Sequence, residues 1–205
     1  MFQEAIARKS CDPVRGRKSN RDFLPFLRAW LSNPLRVAAI APSGPGLSRA
    51  ITAEIDPSSM PVIEFGPGTG VFTQALLDAG VTPNRLVLVE AGADFAELLR
   101  HRFPGVRIVE ANAASLRGVE LFGAGQVGAV VSGLPLLSMT PRHVLSILKT
   151  AFSELRPGGA MYQFTYGYRC PVSDAMLNRL GLKSTRTATI FVNAPPASVY
   201  RIERK

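Results

Sequence analysis

The chain has 205 residues, 46% of them hydrophobic, which is enough to close a full core without metal or disulfide staples, and one domain is the default expectation. Cys11 and Cys170 lack CxxC spacing, no stretch of about 18 apolar residues occurs, and the amino terminus carries no apolar signal core. These features exclude a disulfide framework and point away from a membrane span or export. The net charge of +9 is unevenly spread: residues 1–49 carry nine Lys and Arg against three acids, residues 50–141 five against nine, and residues 142–205 ten against three. The two basic ends suit an anionic partner.

In chain order, a loosely patterned basic stretch containing Arg8, Lys9, Arg15, Arg17 and Lys18 comes first. From Asp22, a plausible N-cap, the residues Phe23, Leu24, Phe26, Leu27, Trp30 and Leu31 recur at helical spacing, with Pro25 in the first turn where its missing N–H costs nothing. An apolar face bearing Phe23, Phe26 and Trp30 beside a basic cluster has the pattern of an interfacial membrane helix; the plainer reading is a helix lying on its own sheet. The expected division is a basic amphipathic extension over 1–40 and a domain over 41–205.

The most informative stretch is Val62 to Gly70, an apolar strand end running through Gly66, Pro67, Gly68, Thr69 and Gly70 into a helical run over 70–80. A dinucleotide fingerprint would place its third glycine one residue later. Glu64, just before the loop, would repel a pyrophosphate but can accept hydrogen bonds from the ammonium of S-adenosylmethionine (SAM). Twenty residues past Gly70, Glu90 ends the apolar run 86–89 and is placed to take both ribose hydroxyls, with Ala91 next to it. The pattern then predicts helix 92–103, strands 106–110 and 127–132, helix 141–155, strand 159–165 and a weaker helix 173–180. Asn112 and Ala113 follow the third strand, where an amide and a backbone N–H would read the adenine edge. Ser132, Gly133 and Leu134 end the fourth, where the methyl acceptor would meet the sulfonium.

Two β-rich runs close the chain, 187–193 and 198–203, joined by Ala194-Pro195-Pro196-Ala197. So short a connection permits only an antiparallel return. The whole succession resembles the class I SAM-dependent methyltransferase fold: an α/β, Rossmann-like, seven-stranded and mostly parallel sheet with an antiparallel last strand, here with an amino-terminal helical extension. Base-modifying amino-methyltransferases need a polar group for the exocyclic amine and an aromatic ring to stack the base. This chain has Ser132 in place of the amide and Leu136 in place of the ring, which suits a flexible aliphatic amine better than a flat base.

The segments Phe26-Leu27-Arg28-Ala29-Trp30, Ala41-Pro42-Ser43, Glu64 to Gly70, Ser132-Gly133-Leu134-Pro135-Leu136, Gln163-Phe164-Thr165-Tyr166-Gly167 and Asn193-Ala194-Pro195-Pro196-Ala197 resemble those of the short bacterial phospholipid N-methyltransferases that convert phosphatidylethanolamine towards phosphatidylcholine. The resemblance implies SAM as cofactor, one or more methylations of a lipid amine, and a membrane-binding amino-terminal helix. It also implies a cofactor contact at Ser43. Tyr162, Tyr166 and Tyr168 are candidates to orient the amine and to stabilise its growing charge, with Tyr166 and Tyr162 as the catalytic pair. Arg36 and Arg201, with Tyr200, are the candidates for the lipid phosphate. His101 and His143 lack ligand spacing, so no metal is expected. The expected partners are a phospholipid substrate and an anionic membrane surface, with no nucleic acid and no inferable protein partner, and the expected location is cytoplasmic, peripheral on the inner membrane face. Two other readings stay open: a methyltransferase of RNA adenine or a small-molecule amine, and a non-catalytic SAM-binding protein at the membrane.

Overall fold

The computed structural model describes residues 44–57, 61–116, 118–191 and 196–205. The expected amino-terminal helix and the division at residue 40 lie outside these residues, as do Arg36 and Ser43. The first described helix, α1 (Pro45–Thr52), was not anticipated from the sequence; its start, Gly44-Pro45-Gly46, is made of residue types that favour turns. Proline at the first helical position is tolerated, since the N–H it lacks would have no intrahelical partner. The spacing of Leu47, Ser48, Ile51 and Thr52 then buries one face.

Strand β1 (Val62–Phe65) leads through the glycine loop into α2 (Val71–Asp78). Then follow β2 (Leu86–Glu90), α3 (Ala93–Arg102), β3 (Arg107–Glu110), β4 (Val127–Ser132) and α4 (Pro141–Glu154). The chain closes with β5 (Leu155–Tyr166), α5 (Asp174–Arg179), β6 (Leu182–Ile190) and β7 (Ala197–Arg204). The strands lie in the order β3-β2-β1-β4-β5-β7-β6. β7 runs antiparallel to both neighbours, and the other described pairings are parallel. The antiparallel return expected of the Pro-Pro connection is therefore present.

Two strands differ in extent from the sequence reading. β5 starts four residues early because Pro157-Gly158-Gly159, a turn signal, lies within the strand, beside the register shift between Val127 and Ala129 of β4. A Cβ on Gly159 would come within 3.0 Å of the Gly128 carbonyl oxygen, so glycine permits that approach. β6 starts at Leu182 instead of 187, its polar residues Lys183, Ser184 and Arg186 being tolerated on the sheet's outer strand.

Alternating side chains build one core on each face. Val62, Leu86, Leu88 and Val131 meet Leu47, Ile51, Leu76 and Leu99 of α1, α2 and α3. Ile63, Phe65, Val87 and Val130 meet Val144, Ile147 and Leu148 of α4 and Leu177 of α5. Because β1 to β5 are parallel, their carboxyl ends share one edge. That edge carries the site.

Candidate functional site

The glycine loop and the end of β4 are built against each other. Gly133 donates its N–H to the Phe65 carbonyl (2.8 Å), and Gly66 donates to that of Val89 (2.9 Å). A Cβ on Gly133 would sit 2.4 Å from the Gly66 carbonyl oxygen, so no side chain fits between the two segments. Gly68, by contrast, has φ +56° and nothing within 4 Å of a hypothetical Cβ. Its backbone is bare towards the crevice, as close approach of a ligand requires. The N–H groups of the first turn of α2 open behind it with no side-chain cap.

Glu64 lies beneath this loop, 0% exposed. One carboxylate oxygen accepts from the Thr73 hydroxyl at 2.7 Å, and the other is buried with no hydrogen-bond partner. Burial, with a smaller contribution from the Glu90 charge, pushes its pKa up to about 8 against the Thr73 hydrogen bond. A buried acid with one orphaned oxygen lacks a cationic donor, and an amino-acid ammonium supplies one.

Glu90 spans the two loops: Oε2 accepts from Gly68 N–H (3.1 Å) and Oε1 from Gly92 N–H (2.9 Å). Each oxygen keeps a lone pair for a ribose hydroxyl while the backbone fixes its direction. Asn112 is exposed, and its Oδ1 accepts from Ala114 N–H (2.9 Å), which turns the amide NH2 outward as a donor for an adenine ring nitrogen. Ala113, 5% exposed, belongs to the core. The Thr69 carbonyl is held by Arg102 Nη1 at 2.6 Å. Glu64, Gly66 to Gly70, Glu90, Ala91, Asn112, Ser132, Gly133 and Leu134 thus come to the carboxyl edge, and the orphaned oxygen and bare Gly68 backbone fit the amino-acid and nucleoside parts of SAM.

The tyrosines divide. Tyr162, Phe164 and Tyr166 share a face of β5, as alternation predicts. Tyr166 ends the strand at the cofactor edge, its ring edge-on to Phe164 at 5.6 Å. Burial raises its pKa. The Tyr162 hydroxyl lies instead in a cavity of about 150 Å³ lined by Glu54, Val62, Gly128, Gly158 and Arg201, at the amino-terminal side of the sheet. Burial first, then the charge of Glu54 and a hydrogen bond to it, push its pKa up to about 12. The expectation of a catalytic Tyr162 is corrected on this ground, because the phenol leans away from the glycine loop.

Arg201 is corrected with it. Its guanidinium pairs with Glu203 of β7 at 2.7 Å and with Glu54, after α1, at 3.7 Å, so its charge is already matched by the protein's own acids. Tyr200, 6% exposed, donates its hydroxyl to the Tyr168 carbonyl at 2.6 Å and anchors the loop after β5; it is not turned to solvent as a headgroup ligand would be. Tyr168 on that loop is 55% exposed. The sequence reading passed over Thr73 and Gln163. Gln163, 1% exposed, donates to the Leu134 carbonyl at 3.0 Å and so steadies the loop after β4. Its presence in the Gln163-to-Gly167 segment was the available signal.

No protein-family model matches the sequence. An ornithine lipid N-methyltransferase of Singulisphaera acidiphila is 32% identical over 150 residues, covering 71% of this chain and 78% of its own. A ribosomal RNA small subunit methyltransferase A of Myxococcus xanthus is 38% identical over 82 residues, but these cover 40% of this chain and 28% of that protein. Among solved structures, the Burkholderia thailandensis 1,6-didemethyltoxoflavin-N1-methyltransferase with bound 1,6-didemethyltoxoflavin and S-adenosylhomocysteine matches 98% of this chain and 94% of its own, with a TM-score of 0.61 and 16% identity.

Proposed function

Since the chain belongs to the family of bacterial lipid N-methyltransferases, SAM-dependent enzymes of the class I fold, we propose that it methylates the amine of the phosphatidylethanolamine headgroup at the membrane surface, in one or more steps towards phosphatidylcholine. The observation that carries the choice of acceptor is Leu136. It occupies the place of a base-stacking ring and is 3% exposed within the core, so this loop offers a flat base no platform. Membrane action is supported by three exposed large apolar side chains on segments at the same edge: Leu137 after β4, Tyr168 after β5 and Phe191 after β6, at 51%, 55% and 71%. The basic amino-terminal segment would add attraction of about 1 kcal/mol per Lys or Arg near an anionic leaflet.

Bound SAM supplies a methyl group already activated for in-line displacement. What the chain contributes is position. Glu64, Glu90 and the glycine loop fix one partner, and the Ser132-to-Pro135 bend, held by Ser132 Oγ on Leu134 N–H (3.3 Å), shapes the approach of the other. A tyrosine phenol is neutral at pH 7 by its ordinary acidity, and burial raises the Tyr166 pKa further, so it orients the amine and does not deprotonate it. The amine sheds its proton to water, helped by the nearby positive charge. A second acceptor, an ornithine lipid, is favoured by the name of the Singulisphaera relative. Lipid analysis of a phosphatidylethanolamine-rich host tests the reading: methylated species should appear with the wild-type chain and not with Glu64→Ala, and their absence from well-expressed wild type would refute it.

A further inference from the structure

The cofactor contacts leave open what holds the acceptor's amine. Such a group needs a hydrogen-bond acceptor that fixes its direction along the line of transfer. β4 offers no wholly unpartnered side-chain acceptor: the Ser132 oxygen is engaged by Leu134 N–H at 3.3 Å, and Gly133 admits no side chain. The adjoining strand does. Gln163 is the register partner of Ser132 and is 1% exposed. Its Nε2 donates to the carbonyls of Leu134 (3.0 Å) and Phe164 (2.7 Å). Both partners are acceptors, so only the NH2 end can face them, and the orientation of the amide is fixed. That leaves Oε1 buried without a partner. Two residues on and on the same face, Thr165 is 4% exposed, and its hydroxyl is likewise buried and unpartnered. Orphaned polar atoms cost free energy that an arriving donor recovers.

We propose that Gln163 is the amine-holding residue: Oε1 accepts an N–H of the methyl acceptor while Nε2 clamps the Leu134 carbonyl, and the Thr165 hydroxyl provides a second polar contact beside it. A carboxamide on β5 thereby takes the place of the amide that β4 lacks. This inference rests on the amine-acceptor reading above.

The test uses the full chain with SAM and vesicles of phosphatidylethanolamine or ornithine lipid, comparing wild type, Gln163→Met, Gln163→Glu and Thr165→Val. Gln163→Met is expected to lose roughly tenfold to a hundredfold in kcat/KM for the lipid while its SAM Kd stays near that of wild type. Gln163→Glu keeps an acceptor but stabilises the ammonium form, so the acid limb of its pH–rate profile moves to higher pH. Thr165→Val should show a smaller loss. Wild-type turnover in Gln163→Met overturns the inference, as does equal loss in both Gln163 variants with SAM binding lost and no shift in pH profile. If Gln163→Met fails to fold, the Gln163→Glu pH profile decides. A wild type that binds SAM and methylates neither lipid overturns the amine-lipid reading and this inference together, whereas an active wild type with unaffected variants overturns this inference alone.

Discussion

Glu64 is a carboxyl kept in the core at 0% exposure, and its pKa of about 8 makes it respond near neutral pH. A cationic ligand favours the ionised form. SAM affinity should therefore rise with pH up to about 8 and then level off, and in Glu64→Gln it should be weaker and flat; titration calorimetry across pH 6–9 reads both. Stability runs the other way. The folded pKa lies above the ordinary carboxyl value of about 4.5, so the folded state holds a proton that the unfolded chain has lost, and stability of the SAM-free protein falls as pH climbs from about 4.5 to about 8. Denaturant unfolding at pH 5 and pH 8 should show this loss in wild type and much less of it in Glu64→Gln. The place of Glu64 was legible because a charged residue in an apolar strand end has few uses. The destination of Tyr162 was not: period-2 alternation assigns a face, but the direction in which a long side chain leans depends on partners such as Glu54, distant in sequence.

At the scale of elements, two glycines separate folding from binding. In Gly133→Ala the new methyl meets backbone at 2.4 Å, so the contact between the glycine loop and β4 must open, and a loss of about 1–3 kcal/mol is expected in unfolding experiments. In Gly68→Ala the methyl meets no protein atom, and the left-handed backbone costs only about 1–2 kcal/mol. Its Tm should fall by a few degrees while its SAM Kd weakens at least tenfold, because the methyl enters the crevice. Arg204 supplies a third case. It caps α4 by donating to the carbonyls of Phe152, Leu155 and Arg156 and lies over the Phe152 ring, far from the chemistry. Arg204→Met should lower stability by about 1 kcal/mol and leave kcat/KM unchanged. The central strands were legible from continuous apolar runs such as Leu86 to Val89. The beginnings of β5 and β6 were not, since Pro157-Gly158 and the polar start of β6 carry local signals that tertiary pairing overrides.

For the whole molecule, the parallel run of β1 to β5 and the reversed β7 bring the described candidate cofactor residues at the strand ends to one edge, and that edge also presents Leu137, Tyr168 and Phe191. The mostly parallel sheet was legible because strands alternate with helices, and the reversed last strand because the Pro-Pro link forbids a crossover. The acceptor site was less so, since the proposed amine site joins β4 and β5 through Ser132 and Gln163, 31 positions apart in sequence. Among the described residues no helix is long and apolar enough to cross a membrane, and the lipid contact proposed above is one made by surface residues. Vesicle co-sedimentation should therefore increase with anionic lipid content and fall as salt rises. The most direct measurement follows a labelled methyl group from SAM, with purified protein offered phosphatidylethanolamine vesicles, ornithine lipid vesicles and ribosomal RNA in parallel. Label in the lipid amine of phosphatidylethanolamine, lost in Glu64→Ala, is the predicted result; label in RNA alone, or in no lipid while SAM binds, would contradict it.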